Sequence, residues 1–136
     1  MSKRKRNKIA FVLTFTLIII LFFIKKDFHA KFYNKTGHDL DSLVIGTNYV
    51  GHLAIDDSTD YLSFRKFLFD GGQPYESISG VSQQRHLFKL NWSWCGTSRK
   101  SISKGSYKFD IKTGINKERI MCLYLVTQNG QIFTWQ

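Results

Sequence analysis

The chain has 136 residues, 43% of them hydrophobic, with 20 Lys or Arg against 10 Asp or Glu and a formal net charge of +10. Once a terminal segment is set aside, that length admits one compact domain and excludes two. The charge raises a nucleic-acid reading, but residues 1–30 hold seven Lys or Arg and one Asp, against thirteen and nine in residues 31–136, leaving +6 and +4; the body is only mildly basic and no nucleic-acid partner is expected.

Lys3, Arg4, Lys5, Arg6 and Lys8 make a basic flank over residues 1–8, and sixteen uncharged residues, 9–24, follow. As a helix this run covers roughly 24 Å, short of the ~30 Å hydrocarbon core, and the long stems of Lys8, Lys25 and Lys26 extend it. Ile9, Phe11, Leu13, Leu17, Ile20, Phe23 and Ile24 supply the membrane anchor. Thr14 and Thr16 are the polar exceptions, each placed to bond a carbonyl one turn earlier.

The exit from the span separates a retained anchor from a removed peptide. In KKDFHAKF, Ala30 suits a cut, but Phe28 fills the position that signal peptidase needs small, and two lysines intervene. An uncleaved signal anchor is the expectation; a secreted soluble protein is the alternative. Five cations precede the span and Lys25, Lys26 and Lys31 follow closely, so the amino terminus belongs in the cytoplasm and the C-terminal domain outside it, periplasmic or extracellular. Residues 25–30 read as a juxtamembrane linker and 31–136 as the domain.

After Ala30 the hydrophobic pattern changes to short runs with a period near two. KFYN precedes the turn NKTGHD; DSLVIG puts Leu43 and Ile45 on one side and Val44 on the other, and TNYVGHLAI completes a meander. DDSTD makes another turn. YLSFRKFLF reads as one long strand, ended by GGQPY with the sole proline. In HLFKLNWSW, Phe88, Leu90, Trp92 and Trp94 share a face, predicting a strand with that face buried. GSYKFDIK turns Tyr107, Phe109 and Ile111 inward, and RIMCLYLVTQ, apolar on both faces, reads as a central strand closing through Asn129-Gly130 into QIFTW. The expectation is all-β: a small β-sandwich, immunoglobulin-like or barrel-like, of seven to eight antiparallel strands behind one transmembrane helix.

Gly105, Tyr107 and Phe109, followed by a two-sided strand and a terminal hairpin, form a pattern similar to the last strands of immunoglobulin-like sandwiches. The resemblance covers about thirty residues and implies architecture alone. The Cys-Trp-Cys order of a true immunoglobulin domain is missing, since Trp92 and Trp94 precede Cys95 and Cys122.

Those two cysteines suit one disulfide on the outer side of a membrane, or two buried thiols. His29, His38, His52 and His86 have no zinc-type spacing, no G-x-S-x-G frames a serine, and Ser101-x-x-Lys104 falls between turns. Asp56, Asp57 and Asp60 read as ordinary turn residues before they read as a calcium loop. The sequons at Asn34 and Asn91 are formal only. No catalysis, metal or cofactor is expected: the reading is a binding module of the cell envelope with an unknown protein partner, the alternative being an anchored hydrolase around His38, Asp39 and Asp41.

Overall fold

The computed structural model describes residues 2–23, 27–92 and 98–128. The protein is mostly β, in several sheets, behind a single apolar helix. Helix α1 spans Lys3–Phe23, so the basic flank is itself helical and the helix reaches about 31 Å. None of its residues is buried. Thr14 and Thr16 donate to the carbonyls of Ala10 and Val12 at 2.9 and 2.8 Å, as the sequence predicts. Ile24 lies outside the described residues.

The strands are β1 (Asp27–Asn34), β2 (Leu40–Ile45), β3 (Asn48–Leu53), β4 (Leu62–Phe64), β5 (Phe67–Asp70), β6 (Gln73–Pro74), β7 (Ile78–Ser82), β8 (Arg85–Phe88), β9 (Arg99–Ile102), β10 (Lys104–Ile115) and β11 (Met121–Thr127). They form sheets of order β11-β10-β1-β4, β3-β2-β7-β8 and β6-β5-β9. Eleven strands are thus present among the described residues, where seven to eight were expected. Nor are all pairs antiparallel: β1 and β10 run parallel from Asp27↔Lys104 to Asn34↔Ile111.

Strand β1 starts at Asp27, inside the segment expected to be a linker. Phe28 and Ala30 are fully buried, and Phe28 stacks at 4.7 Å on both Phe67 and Tyr107. Phe28, Phe32, Phe64, Phe67, Phe69 and Phe109 form the aromatic half of one core, which Leu40, Leu43, Ile45, Leu53, Ile78 and Leu87 continue under the second sheet. Rings at 5–6 Å in stacked and edge-on pairs add attraction beyond their buried area.

Three departures from simple alternation build this core. The run YLSFRKFLF breaks at Arg65-Lys66 into β4 and β5, which lie in different sheets. Strict period two would send Phe64 and Phe67 to opposite faces; the break turns both inward, their rings 5.1 Å apart and 89° across. In β2 a bulge at Ser42, with φ of 49°, resets the phase so that Leu40 and Leu43, three apart, are both buried. At Gly105, with φ of 116°, a Cβ would stand 2.7 Å from the Tyr107 ring; glycine here lets that ring fold back over its own strand. Tyr107, Phe109 and Ile111 face the core as expected.

HLFKLNWSW departs furthest from its reading. Strand β8 stops at Phe88, with Leu87 buried and Phe88 66% exposed, the inverse of the expected phase. Residue 87 pairs with Gly80 on the inner side of the second sheet, and the chain then crosses to β11, where Leu90 N donates to the Leu123 carbonyl at 2.7 Å. Among the described residues β11 stands at the end of the order β11-β10-β1-β4, and the crossing segment bonds along its other side through the parallel bridge Lys89↔Leu123. Trp94, the Asn129-Gly130 turn and QIFTW lie outside the described residues.

Candidate functional site

The structure offers three places where polar chemistry is organised. The first is the distal end of β1, which here means the end far from the helix. Asn34 is fully buried there, and its amide Nδ2 donates towards the carbonyls of His38 (2.8 Å), Leu53 (3.0 Å) and Ala54 (3.2 Å). Its Oδ1 accepts from the Thr36 amide and hydroxyl at 3.1 and 2.7 Å. One side chain thereby fastens the 35–39 turn to β3. The sequon at Asn34 is closed in the folded domain, because the amide nitrogen a glycosyltransferase needs is spent on carbonyls in the interior.

The second place is the exposed face beside it. His52 Nδ1 and Asp41 Oδ1 lie 2.5 Å apart, joining β3 to β2, and this hydrogen bond raises the imidazole pKa, with Asp39 adding to the attraction. His38 meets Gln83 instead, and Asp39 accepts from the Ile55 amide at 2.8 Å. The three residues of the hydrolase alternative thus each serve a different partner. Asp56 pairs with Lys35 at 3.2 Å and Asp57 accepts from the Ser58 amide, both ordinary turn duties. Among the described residues, no three His, Cys, Asp or Glu side chains converge in a metal-holding group.

The third place centres on Tyr75, buried where β6 meets the crossing segment. Lys89 sits over its ring with Nζ 3.6 Å from the centroid and donates to the Tyr75 carbonyl at 3.3 Å. Burial pulls the Lys89 pKa down, while Glu76 opposes that shift. Arg99 approaches the same ring at 5.4 Å, and Trp92 packs against it at 4.4 Å. Asp70, fully buried on β5, lies opposite Arg99 on β9, with Nε 3.6 Å from Oδ2 and, among the described residues, no hydrogen bond to either carboxylate oxygen. These groups hold two sheet edges and the crossing segment together through charge and aromatic contact. Nothing in the sequence around Asp70 signals this; only the β5–β9 register brings Arg99 to it.

Cys122 is buried, with Sγ 3.5 Å from the Ile120 carbonyl and no disulfide partner among the described residues; Cys95 lies outside them. Ser101 and Lys104 stand on separate strands, opposite Leu68 and Asp27. Trp92 is half-buried against Tyr75 and lies beyond the end of β8. The basic residues Arg4, Lys5, Arg6 and Lys8 all lie exposed on α1. Comparison with protein-family models, with curated proteins and with solved structures returned no match.

Proposed function

We propose that the protein is a single-pass membrane protein: α1 stays in the bilayer as an uncleaved signal anchor, and the β-domain, a small sandwich-like fold, acts outside the cytoplasm as a binding module of the cell envelope. The observation that carries this is α1 itself. It is long and apolar enough to cross a membrane, and no part of it is buried against the domain. Phe11, Leu13, Leu17, Phe22 and Phe23 are each more than half exposed. In water that surface is unfavourable by roughly 25 cal/mol per Å², and lipid removes the cost.

Two features support retention of the anchor over release. A cut after Ala30 would sever β1 within its ladder and remove Phe28 from the core. Only residues 24–26 separate α1 from β1, too short a spacer to let the domain stand far from its helix. A phosphatase fused to the carboxy terminus tests the orientation: activity outside the cytoplasm, with the chain resisting alkaline carbonate, is the expected result. A fusion active only in the cytosol, or a chain stripped from vesicles, would overturn it. Copurification from gently solubilised membranes then identifies the protein partner.

A further inference from the structure

We infer that the end of the β-domain nearest the helix docks on anionic lipid headgroups through Arg65, Lys66 and Lys104, with Tyr49 and Phe88 as aromatic flanks. The inference rests on the membrane-anchored reading. Because β1 begins four residues after Phe23, its Asp27 end is within about 14 Å of the end of α1. Register then decides what else is at that end. Lys104 is the strand partner of Asp27, and Phe64 is the partner of Phe28, so Arg65 and Lys66 emerge beside the first residue of β1. All three cations are exposed. Asp27 is the backbone partner of Lys104 at this end; among the residues whose side chains are described, no carboxylate forms an ion pair with these three cations.

The β2–β3 turn closes the same end, since a Cβ on Gly46 would meet the Phe64 ring at 3.1 Å and Asn48 donates to the Ser63 carbonyl. Gly46, Arg65 and Lys66 line one open depression with Glu76. That carboxylate is occupied: one oxygen accepts from the Leu68 amide at 3.0 Å and the other from the Ser77 amide at 3.0 Å. One pair back from the turn, the row Tyr49, Val44, Ser79, Phe88 crosses the second sheet. Its two ends are aromatics 72% and 66% exposed. Cations beside exposed aromatics are the composition of a surface seated at the bilayer interface. The surface acids Asp39, Asp41, Asp56 and Asp57 lie instead around the distal turns. A domain tethered this way lowers Arg65, Lys66 and Lys104 towards its own membrane and lifts those four distal acids from it, and each cation near an anionic surface strengthens adsorption about five-fold.

The test uses the full chain in nanodiscs of phosphatidylcholine, with or without phosphatidylglycerol, footprinted by an amine-acylating reagent and read by peptide mass spectrometry. Lys66 and Lys104 are expected to label at least about three-fold more slowly on the anionic discs, and 0.5 M salt restores the rate, as roughly expected for exposed charges at that screening. Lys35, just past the distal end of β1, and Lys117, beyond a β10 strand about 36 Å long, label equally on both. An Arg65→Gln, Lys104→Gln variant loses most of the protection at Lys66. Equal labelling of Lys66 on both discs, or equal protection of Lys117, overturns the docking. Carbonate extraction of the same chain from vesicles separates the two readings. Release overturns the anchor alone when Lys66 and Lys104 stay protected on anionic vesicles at low salt, and overturns both when they do not.

Discussion

Removal of the first four residues of β1 should unfold the domain. A soluble chain beginning at Lys31 loses Phe28 and Ala30, both fully buried, and with them every pair between β1 and β4: Phe28↔Phe64, His29↔Ser63 and Ala30↔Leu62. It also loses the pairs from Asp27↔Lys104 to Ala30↔Tyr107. Phe28 alone, flanked by Phe67 and Tyr107 at 4.7 Å and edge-on to Phe64 at 6.0 Å, is worth about 3–5 kcal/mol when cut to alanine. A domain of this size is stable by about 5–15 kcal/mol in total, so the whole deletion consumes most or all of it. Urea unfolding followed by tryptophan fluorescence and far-ultraviolet circular dichroism compares chains beginning at Asp27 and at Lys31. The first should show one cooperative transition, Phe28→Ala within it should lower the midpoint by about 2 M, and the second should show no transition. A Lys31 chain melting cooperatively within about 0.3 M of the Asp27 chain would refute the place given to this strand in the core.

Other outcomes follow from single side chains. Asn34→Ala leaves the buried Leu53 carbonyl and its neighbours without their donor, a loss of about 3 kcal/mol by chemical denaturation; Asn34→Asp, which faces three carbonyl oxygens with a carboxylate, should be worse. Gly105→Ala should cost about 1–3 kcal/mol from its left-handed φ and the Tyr107 ring, and part of that loss should vanish in a Tyr107→Ala background; strict additivity would contradict the contact. His52 should titrate above the ordinary imidazole range by nuclear magnetic resonance and return towards it in Asp41→Asn. The raised folded-state pKa means that this pair's contribution to stability is complete at pH below the ordinary value of 6.5 and disappears as pH climbs through the elevated one. An unchanged His52 titration in Asp41→Asn would remove the basis for that dependence.

The sequence alone determined the apolar helical segment, the back-bonding of Thr14 and Thr16, the β2–β3 meander and the inward faces of β2 and β10. Each depends on contacts within a few residues or on a period that a single strand displays by itself. Pairing at long range was beyond it. That β10 lies parallel to β1, that Arg99 stands opposite Asp70, and that His52 meets Asp41 rather than His38 are matters of register between segments whose local patterns are compatible with several partners. Phase was misread where the chain changes sheet. Phe88 continues an apolar stripe with Leu90 and Trp92 on paper, yet the strand ends beneath it because Leu87 fills the core and the next residues cross to β11. Tertiary packing made that decision, for the burial of one leucine and the satisfaction of a crossing backbone are properties of the assembled layers and not of the stripe.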